Sequence, residues 1–119
     1  MYGDASGAER LIPFDVIPRI LARSEWDDLA KGCAQRVTAL NRFLDDIYGK
    51  QEILRAGVIP AEEILSNPLY LKAARGLPAP HGVHSVVSGI DLVRTDDQQW
   101  HVLEDNLRTP SGVSYMIEN

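Results

Sequence analysis

The sequence predicts an α+β fold, in which a helical first part is followed by an antiparallel β-hairpin. Two observations lead to this prediction. From residue 24 to residue 48, apolar residues recur every three or four positions, which is the period of one helix face. After Gly82, β-branched residues become frequent and polar residues alternate with apolar ones, as is typical of strands. We therefore expect a main helix over about 24–48 and a hairpin over about 83–107.

The main helix is predicted from its ends as well as from its apolar stripe. Ser24 is a favourable N-cap residue, and Glu25 stands in the first turn, where a negative charge is stabilising. Gly49 ends the pattern. The stripe consists of Trp26, Leu29, Ala30, Cys33, Val37, Leu40, Leu44 and Ile47. We expect it to pack into the core, with Cys33 as a buried structural thiol.

The segments on either side of this helix give weaker signals. Residues 1–23 contain two glycines and two prolines, which predict loops and short extended pieces. Residues 50–80 predict short helices, interrupted by Gly57, Pro60, Pro68 and Gly76. Pro60 suits the first position of a helix, because the N–H that it lacks would have no partner there.

Composition and charge narrow the class of protein. The 119 residues are 45% hydrophobic and 24% charged, which is typical of a folded chain. A net charge of −5 argues against nucleic-acid binding, and no apolar run is long enough to span a membrane. The first residues lack the basic and apolar regions of a signal peptide. We expect a cytoplasmic protein.

The expected domain organisation is one incomplete domain over residues 1–119. Residues 1–80 would form a mainly helical scaffold, and residues 81–119 the hairpin and the start of a following helix. Residues 114–119 are amphipathic and contain no glycine or proline that would end a helix. We therefore expect the chain to be part of a longer protein.

Three side chains of the hairpin predict a metal site. Glu104 and Asn106 are two positions apart, so they project from the same face of a strand. Asp91 precedes Glu104 by thirteen positions, and a turn of even length places it on that face too. A turn of odd length would separate the two carboxylates unless a bulge corrected the register. We also expect Trp100 and Val102 on this face.

A cation would compensate the repulsion between these carboxylates. Like charges directly across a sheet are destabilising. Mg²⁺ prefers carboxylate and carbonyl oxygens and completes its shell with waters and substrate phosphates. The alternative is a solvated acidic edge of the sheet that binds nothing.

The segment that follows the hairpin predicts an anion contact. Arg108 supplies a cation two positions beyond Asn106. Thr109 is predicted to cap a new helix with Pro110 at its first position, which leaves the amides of Ser111 and Gly112 free to bind a phosphate. The alternative is a simple helix cap without a ligand.

These residues resemble a known family. Glu104-Asp105-Asn106 followed by Pro110 resembles the Glu-x-Asn element of ATP-grasp ligases such as glutathione synthetase and D-alanine–D-alanine ligase. The chain as a whole resembles the circularly permuted members of that family, a group related to glutathionylspermidine synthase. The other segments that carry the resemblance are Gly7–Arg10, Ile12–Asp15, Ile17–Arg19, Gln35–Arg36, Ala39–Asn41, Gly89–Asp91 and Val102–Tyr115.

The resemblance implies part of an ATP-dependent carboxylate–amine ligase of peptide type, with ATP and Mg²⁺ as cofactors. Its magnesium ligands would be Asp91, Glu104 and Asn106. Arg108 would be catalytic and would also bind the nucleotide phosphates, together with Ser111 and Gly112. The substrates would be a small-molecule or peptide carboxylate and an amine.

The permuted order implies that the nucleotide-binding lysines and the adenine pocket follow Asn119. The remainder of the chain would then be a partner of this part, and we expect the 119 residues alone to be inactive. One departure from the family is Gly89, where some relatives carry an arginine that contacts phosphate. A different class of function stays open, namely a non-catalytic interaction or scaffold module on the same fold.

Overall fold

The computed structural model describes residues 16–118, so the predicted motifs Gly7–Arg10 and Ile12–Asp15 lie outside the described residues. The elements in chain order are α1 Arg23–Tyr48, α2 Glu52–Arg55, α3 Ala61–Leu65, β1 Gly89–Arg94, β2 Trp100–Asn106 and α4 Gly112–Glu118. Two short 3₁₀ turns, Lys72–Ala74 and Pro80–Gly82, connect α3 to β1. The predicted order, helices first and an antiparallel hairpin after them, is confirmed.

α1 has 26 residues and begins one position earlier than predicted. The prediction that Ser24 caps it is wrong, because the residue before the helix is Ala22, whose side chain makes no capping bond. The carbonyl oxygen of Ala22 accepts the backbone N–H four residues later at 2.9 Å, so the first turn forms ahead of Ser24. Gly49 follows the last helical residue, as predicted. A Cβ at Gly49 would lie 2.6 Å from the backbone oxygen of Asp45, so only glycine fits without a shift.

The corner between α1 and α2 is fixed by an aspartate from the last turn of α1. Asp46 accepts the backbone N–H groups of Glu52 at 2.8 Å and Ile53 at 3.0 Å. These bonds lower the pKa of the Asp46 carboxyl, and the bond from Ile53 has the larger effect. Among the short helices, Pro60 immediately precedes α3 instead of occupying its first position.

The hydrophobic core of the described residues is small. Ile47 and Leu54 are its buried hydrophobic members, with 5% and 8% of their surface exposed. The prediction that the whole α1 stripe is core is wrong, because Trp26 is 56% exposed and Cys33 is only half-buried. The radius of gyration is 18.6 Å, whereas a compact chain of this size has about 13 Å. Two residues of the stripe, Leu29 and Cys33, line an open groove.

The hairpin starts later than predicted, at Gly89 instead of Val83. The amides of His84 and Ser85 donate to the Oδ1 atom of Asn41 in α1, at 2.8 and 2.9 Å, and so do not join the strand ladder. β1 and β2 form a two-stranded antiparallel sheet. Between residues 16 and 118, no helix combines the length and the apolarity needed to traverse a bilayer.

Candidate metal centre

The strand register brings the predicted metal ligands together. Asp91 pairs with Glu104, and Gly89 pairs with Asn106. Residues that pair across an antiparallel ladder project from the same face, so both carboxylates and the amide share one face of the hairpin. The geometric condition for a shared site is met.

A bulge produces this register. The turn between the paired ends of the strands contains five residues, 95–99, which is an odd number. In a regular ladder, that turn would place Leu103 opposite Asp91 and send Glu104 to the other face. Instead, Leu92 pairs with Val102, and Leu103 is left unpaired as an extra residue.

The bulge also overturns one prediction. Trp100 and Val102 do not share the face of Glu104; they lie on the opposite face, where they line a groove of about 820 Å³ against α1. The Nε1 atom of Trp100 donates to Glu25 of α1 at 3.0 Å. The prediction assumed an uninterrupted alternation along β2, and the extra residue reverses the phase between Val102 and Glu104.

A pocket of about 470 Å³ adjoins the carboxylate pair. Its lining residues are Gly89, Asp91, Glu104, Asn106, Pro110, Ser111, Gly112, Val113 and Met116. The Nδ2 atom of Asn106 donates to Glu104 Oε1 at 2.8 Å, which orients the amide and leaves its oxygen as an acceptor on the other side. Asp91 and Glu104 are both exposed, so water can complete the shell of a cation there.

The donor set fits a hard cation. Two carboxylates and one amide oxygen match the preference of Mg²⁺ for oxygen ligands, whereas zinc sites rely on cysteine and histidine. Over residues 16–118, no group of three or more histidine, cysteine, aspartate or glutamate side chains is placed to hold a metal ion. The candidate set consists of two carboxylates and one asparagine.

The predicted phosphate contacts divide between two places. Ser111 and Gly112 line the same pocket as the carboxylates. Arg108 instead lines a separate hollow of about 880 Å³, together with Leu107 and Ser85. The structure therefore does not bring Arg108 into the pocket of Asp91.

The helix after the hairpin begins later than predicted. α4 starts at Gly112, so Thr109 is not its cap and Pro110 is not its first residue. The carbonyl oxygens of Pro110 and Ser111 each accept an N–H three residues later at 3.3 Å, which makes a turn that precedes the helix.

Gly89 allows this turn to approach β1 closely. A Cβ built at Gly89 would lie 2.8 Å from the Cβ of Pro110 and 3.5 Å from that of Asn106. A proline ring cannot yield as a flexible side chain can, so any larger residue would push the turn outward. The glycine is therefore explained by packing beside the pocket.

An ion pair joins β2 to α1 on the face opposite the pocket. Asp105 stands between Glu104 and Asn106, and its carboxylate accepts two bonds from Nε of Arg36 at 2.7 and 2.9 Å and one from Nη2 at 2.7 Å. The side chain of Asp105 is 16% exposed. The hydrogen bonds from Arg36 lower the pKa of Asp105, and the same contact raises the pKa of Arg36. Sequence reasoning missed this pair because 69 positions separate its members.

Comparison with known proteins decides the family. The model of the circularly permuted ATP-grasp type 2 family matches residues 18–119. The chain belongs to this family. The resemblance inferred from the Glu-x-Asn element is thus confirmed, and the hairpin described above is part of a circularly permuted ATP-grasp protein.

Several proteins are similar to this ATP-grasp chain over nearly all of its length. An uncharacterised Synechocystis protein is 50% identical over the whole chain, which corresponds to 25% of its own length. An uncharacterised Mycobacterium leprae protein is 54% identical over 96% of the chain and 20% of its own length. A Frankia casuarinae protein provisionally named glutamate–cysteine ligase 2-2 is 46% identical over 96% of the chain and 13% of its own length.

The chain spans a quarter or less of the length of these curated relatives. The ligase name of the Frankia relative accordingly describes a much longer protein than the segment matched here.

Proposed function

We propose that the full-length protein containing this chain is an ATP-dependent carboxylate–amine ligase of peptide type. Asp91, Glu104 and Asn106 bind Mg²⁺ at the phosphates of ATP. The observation that carries the proposal is the pairing of Asp91 with Glu104 on the face that Asn106 shares, within an ATP-grasp chain. The name of the Frankia relative supports a small amino-acid-like carboxylate and an amine as substrates.

The proposed reaction has two steps. A carboxylate oxygen of the first substrate forms a bond to the γ-phosphorus of ATP, and the bond to the ADP oxygen breaks, giving an acyl phosphate. The amine then attacks the acyl carbon, inorganic phosphate leaves, and the amine nitrogen loses a proton. Bound Mg²⁺ would supply charge neutralisation and alignment of the phosphoryl group.

The residues of this chain act by orientation. Asp91 and Glu104 present their oxygens on one face of the hairpin, and the hydrogen bond from Asn106 to Glu104 orients these two side chains toward each other. Ser111 and Gly112 border the same pocket and are proposed to contact phosphate from its rim. Arg108 is proposed to contact phosphate as well, and its place in a different hollow makes its contribution separately testable. We place the reaction in the cytoplasm, where ATP is available.

The test is a turnover assay on the full-length protein with ATP and MgCl₂. Hydroxylamine replaces the unidentified amine, so that any acyl phosphate formed from a panel of amino acids and dipeptides is trapped as a hydroxamate. We expect ADP and hydroxamate to form in equal amounts, with Glu104→Gln slower by roughly 100-fold or more, because loss of even an outer-sphere partner of a metal costs about 10–100-fold. The control Asp96→Asn, an exposed residue of the 95–99 turn, should keep full activity.

Formation of ADP without hydroxamate would contradict the acyl-phosphate mechanism. Absence of both products across the panel would favour the non-catalytic module instead. Substitution of Arg108 by glutamine separates its role from that of the metal ligands, since it should impair turnover without changing Mg²⁺ affinity.

A further inference from the structure

The residue between the two proposed ligands of β2 faces away from the pocket. Along a strand, successive side chains alternate between faces, so Asp105 projects toward α1 while Glu104 and Asn106 project toward the pocket. Arg36 holds the Asp105 carboxylate through Nε and Nη2, both at 2.7 Å from an oxygen. Two nitrogens on one carboxylate fix orientation as well as distance.

A second anchor holds the other side of Asn106. The Oγ atom of Ser85 donates to the carbonyl oxygen of Leu107 at 2.9 Å, and Ser85 is a buried residue with 6% exposure. The amide of Ser85 in turn donates to Asn41 Oδ1 at 2.9 Å. Asn41 is itself oriented, because its Nδ2 atom donates to the carbonyl oxygen of Val37 at 3.0 Å.

Both anchors start on α1, the helix of 26 residues. Arg36 and Asn41 lie five positions apart on α1. Arg36 binds Asp105 of β2 directly, and Asn41 reaches Leu107, the residue that follows β2, through Ser85. Asn106 is thus flanked on each side by a residue tied to the helix. Because β2 is paired with β1, these two anchors fix the orientation of the hairpin relative to α1, and with it the direction in which Glu104 and Asn106 face the pocket.

We propose that Arg36 is a positioning residue for the metal centre: by binding Asp105 it sets the direction in which Glu104 and Asn106 present their oxygens. This inference rests on the proposed function, since it assigns a role relative to that site. Arg36 lies on the side of β2 opposite the proposed ligands Glu104 and Asn106. Its loss keeps every proposed ligand in the chain but removes one of the two anchors between the hairpin and α1, so the direction of Glu104 and Asn106 is less fixed and Mg²⁺ binding weakens.

The experiment measures binding of Mn²⁺, as a spectroscopic substitute for Mg²⁺, by electron paramagnetic resonance in the full-length protein with a non-hydrolysable ATP analogue. The variants are Arg36→Gln, Asp105→Asn and the exchanged pair Arg36→Asp with Asp105→Arg. Arg23→Gln is the matched control, because Arg23 forms an exposed ion pair with Asp27 on the same helix at 3.0 Å. Steady-state rates at varied Mg²⁺ provide a second readout.

We expect each single variant to raise the dissociation constant of Mn²⁺ by roughly 10–100-fold, as outer-sphere partners of metal ligands do. The exchanged pair should recover most of the affinity, and Arg23→Gln should match the wild type. The KM for Mg²⁺ should rise in the single variants while kcat at saturating Mg²⁺ stays near normal. A merely structural role would lower kcat and the melting temperature without this separation.

Unchanged Mn²⁺ affinity in Arg36→Gln and Asp105→Asn would overturn the proposal while leaving the metal site intact. Absence of Mn²⁺ binding in the wild type would instead overturn the proposed function itself. If Arg36→Gln does not fold, Arg36→Lys keeps the charge but loses the two-nitrogen contact. Wild-type affinity in that lysine variant would also overturn the proposal.

Discussion

Asp91 lies directly across the hairpin from Glu104 because Leu103 bulges out of the second strand. The five-residue turn shifts the register by one residue, and the extra residue Leu103 shifts it by one more. Together they restore the shared face that a turn of even length would give without a bulge. The result is a pair of like charges facing each other at an open pocket. Such a pair is destabilising without a cation, so the arrangement favours a binding role over a solvated edge.

The first prediction concerns the small core. Ile47→Ala should destabilise the corner of α1 and α2 by about 2–5 kcal/mol, because Ile47 is almost fully buried. Leu40→Ala should cost less, since Leu40 is only half-buried. Hydrogen exchange of the amides in both helices, measured in the full-length protein, reports the local free energy of opening. Equal effects of the two variants would contradict the described core.

The second prediction concerns the approach of Gly89 to Pro110. Gly89→Ala introduces a Cβ 2.8 Å from the Cβ of Pro110, so the turn before α4 must move away from β1. We expect a loss of about 1–3 kcal/mol from overpacking, together with weaker Mg²⁺ binding in the full-length protein. Gly32→Ala is the control, because nothing lies within 4 Å of a Cβ there and alanine favours the helix. Mg²⁺ affinity that is equal in both variants would argue against a pocket shaped by this contact.

The third prediction concerns pH. Hydrogen bonds from the amides of Ile53 and Glu52 lower the pKa of Asp46 in the folded state, so the carboxylate stabilises the fold above its unfolded pKa of about 3.9. That stabilisation is lost as pH falls through the folded value. The melting temperature of Asp46→Asn should therefore lie below that of the wild type at pH 6–7, and the difference should shrink toward pH 3.

Asp28→Asn provides the comparison for this pH series, because the exposed Asp28 carboxylate forms an exposed ion pair with Lys31 at 3.3 Å on the same helix. It should change the melting temperature little at any pH. A deficit of Asp46→Asn that stays constant from pH 7 to pH 3 would show that the carboxylate does not cap α2.

Much of the architecture follows from residue patterns near one another in the chain. The period of three and four identified α1, and the β-branched residues identified the hairpin. The number of residues between Asp91 and Glu104 predicts their shared face if the turn has an even length. The turn has five residues, and the bulge at Leu103 restores the shared face. The odd length of the turn is not predicted, because Gln98 adopts a left-handed conformation, with φ of 63°, at a position where glycine is the usual signal.

Other features depend on contacts that no local pattern encodes. β1 begins at Gly89 and not at Val83 as predicted. The side chain of Asn41, more than 40 positions earlier, accepts the amides of His84 and Ser85, which therefore do not pair with β2. The ion pair between Arg36 and Asp105 depends on the face of β2 from which Asp105 projects. The bulge at Leu103 changes that face, so the pair cannot be predicted from a regular alternation. Ser24 does not cap α1, because the helix already begins at Arg23 and the residue before it is Ala22.

The central claim is that Asp91, Glu104 and Asn106 bind Mg²⁺ together with ATP phosphates. Glu104→Gln keeps the shape of the side chain and an oxygen that accepts the bond from Asn106, so the fold should persist. The same change removes one anionic ligand. Asp96→Asn removes an equal charge from the turn at the far end of the hairpin and serves as the control.

The most direct measurement is calorimetric titration of Mg²⁺ into the full-length protein that has been saturated with a non-hydrolysable ATP analogue. The proposed site predicts one or two Mg²⁺ ions per chain in the wild type and in Asp96→Asn. It also predicts an affinity lower by roughly 100-fold or more in Glu104→Gln, with an unchanged melting temperature. Equal Mg²⁺ affinity in Glu104→Gln and Asp96→Asn would contradict the claim.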